Sequence, residues 1–187
     1  ADTRFDTVNM GFVQRGLLNH HALIRLSQPI ADEVTSCVYK LIDSANLQHG
    51  AMYINIRKFF LSESDKGLTE TGKFAFKAGC YYKKDSIYRQ MFTIDTVFLI
   101  KSGVDVTESL ISAASEQFGL FIKKAATFDV TQCDILKTYT AYDIQHIDEV
   151  EKKDIPVYNV DLPKKGIYAT YDDFKNNRPS QENIIAK

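Results

Sequence analysis

Lys73-Phe74-Ala75-Phe76-Lys77-Ala78-Gly79-Cys80-Tyr81-Tyr82-Lys83 is the stretch on which the fold turns. Phe74, Phe76, Ala78, Cys80 and Tyr82 hold its even positions, while Lys73, Lys77 and Lys83 fall on the odd ones. Successive strand side chains point to opposite sides, so the alternation predicts one apolar face and one lysine-bearing face turned to water. Lys84, Asp85 and Ser86 then have the short polar character of a turn. Tyr88, Phe92, Ile94, Phe98 and Ile100 share one parity beyond it. Two such runs around a few turn residues read as a hairpin.

Working upstream, Met52–Leu61 starts with Met52, Ile54 and Ile56 inward and changes parity at Lys58, where Phe59 and Leu61 take over. Such a switch marks a bulge or a strand covered on both faces. The polar run Ser62–Thr71 reads as an exposed loop. Thr7–Val13 reads as a first strand with Val8, Met10 and Phe12 on one side, and Arg15–Gln28 as a polar loop. Between them and Met52, Ile30, Val34, Cys37, Val38, Leu41, Ile42 and Ala45 recur at helical spacing, with Pro29 at the start and Gly50 at the stop. Downstream, Asp105-Val106-Thr107-Glu108 has the spacing of a capping box. Leu110, Ala113, Ala114, Phe118, Phe121 and Ile122 continue it as a helical stripe, and Lys123-Lys124 suits the negative end of the helix dipole.

The order strand, helix, three strands, helix predicts an α+β two-layer sandwich with an antiparallel sheet and both helices on one face. This domain takes residues 1–125. Residues 126–187 form a C-terminal extension with 8 basic and 11 acidic side chains, net −3, against +2 for the rest. Seven Tyr and Phe residues are too many for a loose tail, so the extension is expected to be ordered and packed on the sandwich. Within it Pro156 extends the chain, Gly166 turns it into a short strand, and Thr170-Tyr171-Asp172-Asp173 caps a helical turn ended by Asn176-Asn177 and Pro179.

The chain has 187 residues and a net charge of −1, without the basic excess of a nucleic-acid binder. No apolar run approaches the roughly 20 residues of a membrane-spanning helix. Cys37, Cys80 and Cys133 form no C-x-x-C pair and read as small core residues. The nine glycines make no phosphate-cradling pattern, and no serine sits in a G-x-S-x-G elbow. His20-His21 lacks a third ligand at useful spacing. Adjacent acids on a helix point apart, so Asp172-Asp173 reads as a cap plus a surface acid rather than a catalytic pair. No metal or organic cofactor is therefore expected. The start at Ala1-Asp2 without Met is what a chain trimmed of a leader would have, or one that keeps the remnant of a tag.

Ile147-Asp148-Glu149-Val150-Glu151-Lys152, Ile155-Pro156-Val157-Tyr158-Asn159 and the run Gly166–Pro179 resemble the tail of a group of uncharacterised proteins of Bacteroidetes-type bacteria. Asn55-Ile56-Arg57, Lys73-Phe74-Ala75-Phe76 and Asp105-Val106-Thr107 resemble the same group. That resemblance implies an exported protein, periplasmic or anchored at the outer membrane. The element order is also similar to small envelope lipoproteins that assist transporters.

These readings lead to a non-catalytic cell-envelope protein that binds an unknown protein or envelope component, or assembles as a homo-oligomer. Tyr158, Tyr168, Tyr171 and Phe174 are its candidate interaction surface, because tyrosine offers amphipathic contact area at low entropic cost. The alternative is a hydrolase-like enzyme whose site gathers scattered residues, with His20, His21, Asp129 and Asp134 as candidates.

Overall fold

The computed structural model of the chain describes residues 1–16, 20–41, 51–65, 69–103, 105–131 and 136–182. A six-stranded sheet runs in the order β2-β1-β3-β4-β5-β6. Its strands are β1 (Asn9–Arg15), β2 (His20–Arg25), β3 (Ala51–Asp65), β4 (Glu70–Lys84), β5 (Ile87–Ser102) and β6 (Thr138–Tyr139). All neighbours pair antiparallel except β1 with β3. With helices α1 (Ile30–Leu41) and α2 (Thr107–Ala126), the architecture is α+β.

The even positions of β4 behave as their alternation dictates. Phe74, Phe76, Ala78 and Cys80 are all buried, in one core with Ile54, Ile56 and Leu61 of β3. Helix α2 brings Leu110, Ala114, Phe121, Ile122 and Ala125 to that core, and α1 brings Ile30 and Val34. Phe76 and Phe121 meet edge to face at 5.4 Å, with Phe59 and Phe118 also against Phe76 at 5.8 and 6.1 Å. Burying each such ring is worth roughly 1.5–3 kcal/mol.

The parity switch in β3 is a bulge. Ile56 faces Ala78 and Lys58 faces Lys77, so Arg57 is the extra residue and Phe59 and Leu61 return to the core side. A second bulge in β5 carries no such sequence signal. Cys80 faces Phe92 and Tyr81 faces Gln90, leaving Met91 between. Tyr88 is thereby turned to the opposite face from Phe92, Ile94, Phe98 and Ile100, against the expectation of one shared parity.

A third irregularity corrects the first strand. Register shifts between Asn9 and Phe12, and Gly11 sits at φ 121. A Cβ there would lie 1.7 Å from the Leu61 carbonyl oxygen, so only glycine allows β1 to approach β3 this closely. Met10 and Val13 are consequently buried, while Val8 stays outside the strand and exposed. The supposed loop Arg15–Gln28 contains β2, which pairs Arg15 with His20 and Phe12 with Leu23. The supposed loop Ser62–Thr71 is mostly strand too, since β3 runs to Asp65 and β4 starts at Glu70.

The second face of β4 is not simply open. Ala75 and Tyr81 are buried on it. Tyr81 folds back over Gly79, where a Cβ would come within 2.5 Å of its hydroxyl. Tyr139 of β6 stands at right angles to Tyr81 at 5.9 Å, and Tyr53 meets Tyr88 at 4.9 Å. Burial, and secondarily the neighbouring Tyr88, pushes the Tyr53 phenol above its ordinary pKa.

The start of α2 also departs from its expected box. Val106 is the N-cap and has no side-chain cap. Asp105 instead accepts from the Thr107 amide at 2.8 Å, and Glu70 of β4 accepts from the Val106 amide at 3.1 Å. With the N-cap one residue later than expected, its amide is served by a sheet carboxylate in the role that the expected box gave to Glu108.

The chain divides into two compact units, Ala1–Ala141 and Tyr142–Lys187, where sequence composition had put the boundary at 125/126. The difference is β6, which pairs Tyr139 with Tyr88 and so belongs to the sheet. The second unit begins within α3 (Ala141–Gln145) and holds α4 (Ile147–Lys152), a 3-10 turn (Pro156–Asn159), β7 (Gly166–Ile167), α5 (Tyr171–Lys175) and β8 (Gln181–Glu182). The expected stop of α1 at Gly50, with Ile42 and Ala45, lies outside the described residues, as do Cys133 and Asp134.

Candidate functional site

The second unit is built around a short closed loop. Gly166 pairs with Glu182 and Ile167 with Gln181, so β7 and β8 bring its ends together and α5 forms its tip. Lys164 and Glu182 add an ion pair at 3.3 Å between exposed groups. Such exposed pairs contribute little by themselves.

Thr170 and Asp173 fix where α5 begins. Thr170 Oγ1 accepts from the Asp173 amide at 3.0 Å, and Asp173 Oδ2 accepts from the Thr170 amide at 3.1 Å, a complete capping box. Asn177 stands at the other end in a left-handed conformation, φ 52. Its Oδ1 accepts from the Lys164 amide at 2.8 Å. The Tyr168 hydroxyl donates to the Lys164 carbonyl at 2.6 Å and lies 3.0 Å from Asn177 Oδ1.

This framework orients the aromatic residues. Phe174 meets Tyr168 edge to face at 5.4 Å and stacks beside Tyr171 at 6.3 Å. Tyr171 is 70% exposed, and Lys175 Nζ lies 5.5 Å from its ring centroid. The 3-10 turn that carries Tyr158 packs against α5. Tyr158 is 57% exposed, with Lys152 Nζ 5.9 Å from its ring. Three of the four residues singled out from sequence therefore form one ring cluster, and the element bearing the fourth adjoins it. Val160, Leu162 and Ile167 are further exposed apolar side chains of this unit. Sequence reasoning passed over them because single aliphatic residues in turns give no periodic signal.

The acids beside these rings are occupied. Asp173 serves the cap, and Asp172 pairs with Lys175 at 3.1 Å and accepts from Asn176. What the arrangement offers chemically is contact area with hydroxyl and ammonium groups at its margin, suited to binding.

The residues considered for an enzyme are differently placed. His20 and His21 are exposed on β2, where His21 stacks on Phe12 at 4.7 Å. Asp129 follows α2 and accepts from both the amide and the hydroxyl of Thr131, at 3.0 and 2.6 Å. Among the described residues, no three His, Cys, Asp or Glu side chains converge as metal ligands would. No helix there is long and apolar enough to cross a membrane.

Clefts lie in the first unit. One of about 390 Å³ runs between α1 and β3, lined by Val34, Val38, Tyr39, Met52 and Ile54 among others. Another of about 350 Å³ lies by the β3 bulge, where Arg4, Arg57 and Lys58 meet Phe59 and Phe60. The Arg4 guanidinium is held by Asp2 at 2.8 Å and by the Thr7 carbonyl at 2.7 Å. No protein-family model, curated protein or solved structure matches the chain.

Proposed function

We propose that this chain is a non-catalytic cell-envelope protein that binds another macromolecule, or a second copy of itself, through Tyr158, Tyr168, Tyr171 and Phe174. The observation that carries the reading is the exposed Tyr171–Phe174 pair on a helix whose start is locked by a complete capping box. Rings held this way lose little freedom when a partner covers them, and such preorganisation is what converts contact area into affinity. Aromatic side chains are also the usual anchors of protein interfaces. The resemblance of the Ile147–Lys152 and Gly166–Pro179 runs to exported proteins supports a periplasmic or outer-membrane-anchored location.

We further infer a two-layer arrangement, with α1 and α2 on one side of the sheet. Ile30, Val34, Leu110 and Phe121 sharing one core with Phe74 and Phe76 supports it.

The test compares the full chain with its Tyr171→Ser/Phe174→Ser variant. Each is immobilised against envelope extract, and each is sedimented alone over a range of concentrations. A retained macromolecule, or a concentration-dependent dimer, should be lost in the variant. Identical retention and identical sedimentation by both proteins would overturn the reading.

A further inference from the structure

The second face of the sheet is covered at one end by the tyrosines and open at the other. Strand register sets Leu23 opposite Phe12, and Phe60 opposite Ala75 and Val97. Phe12 lies opposite Ser62, but its ring meets that of Phe60 at 6.3 Å, so a staggered apolar row, with Ala75 buried within it, crosses β2, β1, β3, β4 and β5. Five strands at about 4.8 Å spacing make this row roughly 19 Å long. Leu99 extends it along β5. Leu23, Val97 and Leu99 are 59%, 50% and 63% exposed, a density of aliphatic surface that an open sheet face rarely carries without a use.

The charges on the same face are one-sided. Arg25, Lys58, Lys73 and Lys101 are all exposed on it. Among the described residues its strands carry one acid, Asp95, paired with Lys77 at 3.6 Å, and the exposed Asp6 carboxylate is close enough to Arg25 to feel its charge. With Arg25 offset by Asp6, Lys58, Lys73 and Lys101 leave the face about three uncompensated positive charges on a chain of net charge −1, and −4 for the rest. Near-neutral composition conceals this separation.

We propose that this face docks on an anionic phospholipid surface. The aliphatic side chains enter the headgroup–acyl boundary, and the lysine and arginine stems reach past them to lipid phosphates. A second copy is disfavoured as occupant, because two such faces would oppose Lys58, Lys73 and Lys101 to the same three positive charges. Single-stranded nucleic acid is disfavoured because the most exposed apolar groups are leucine and valine, which give bases no ring to stack on. An acidic protein segment is the remaining occupant, and the experiment separates it.

The full chain is co-sedimented with vesicles of phosphatidylglycerol and phosphatidylcholine, with vesicles of phosphatidylcholine alone, and assayed against soluble polyglutamate. Each basic residue near an anionic surface is worth about fivefold in partitioning, so Lys73→Gln/Lys101→Gln should lower vesicle binding about 25-fold. Val97→Ser/Leu99→Ser should lower it as well while leaving all four charges in place. Both pairs are exposed, and unchanged thermal melts identify folded variants. Binding to anionic but not neutral vesicles, reduced by both variants, is the expected result. No binding to anionic vesicles, or binding indifferent to either variant, overturns the proposal. Polyglutamate binding as tight as vesicle binding and untouched by the serine variant also overturns it, in favour of an acidic protein partner.

Discussion

Replacing Phe76 by alanine tests the core most sharply. Its side chain is 0% exposed, and its ring meets Phe59, Phe74, Phe118 and Phe121 at centroid distances between 5.4 and 6.1 Å. The loss combines transfer of the ring to water with the cavity left between β4 and α2, together about 3–5 kcal/mol. The cavity is bordered by β3 and β5 backbone as well as by α2, so little collapse is available and the upper half of that range applies. Urea unfolding at 25 °C, with the slope compared between variants, reads it directly. Phe76→Leu, expected to lose less, keeps the measurement possible should the alanine variant unfold. Phe121→Ala gives the partner arm, and the double variant should show about 0.5–1.5 kcal/mol of coupling from the edge-to-face pair. A loss under about 1 kcal/mol for both single variants would mean that α2 does not cover this face of β4, and the packing described above would fall with it.

Other consequences are as specific. Gly11→Ala should cost about 2 kcal/mol or more in thermal or urea unfolding, because the Cβ collides with the Leu61 carbonyl at a φ of 121 that alanine resists. Thr170→Ala should lose about 1 kcal/mol, visible as faster amide exchange around α5. The Asp105 carboxyl is held below its ordinary value of 3.8 by bonds from the Thr107 amide and side chain. Its contribution to stability is therefore present above that value and lost as pH falls through the lower folded value. An NMR titration should place it below 3.8, and Asp105→Asn should flatten acid unfolding there.

Strong alternation made β4 legible, and the helical stripes of α1 and α2 likewise. The bulge at Arg57 was legible because it moves large apolar residues from one parity to the other. The bulge at Met91 was not, since methionine and tyrosine are equally at home on either face. β2 escaped notice because an edge strand with His20 and His21 turned to solvent has too few buried positions to show a period. The tyrosine cluster over Gly79 was invisible for a different reason: it depends on β6, a two-residue strand far along the chain, recognisable only by its pairing. The cap of α2 shows the same limit, with a donor served by Glu70 across the fold. In the second unit the capping box at Thr170 was read correctly because all its partners lie within four residues. The open sheet face was within reach: Val97 and Leu99 sit on the parity opposite Phe98 and Ile100, yet weight given to the core side hid them.

Photo-crosslinking in the producing cell tests the binding account most directly. Benzoylphenylalanine in place of Tyr171 puts a reactive ketone on an exposed ring, and the same residue in place of Glu151 provides a control on the same unit. The account predicts discrete adducts from position 171, either of twice the chain's mass or with one distinct partner, that disappear when Phe174 is serine. No adduct from position 171, or the same adducts from both positions, would contradict it.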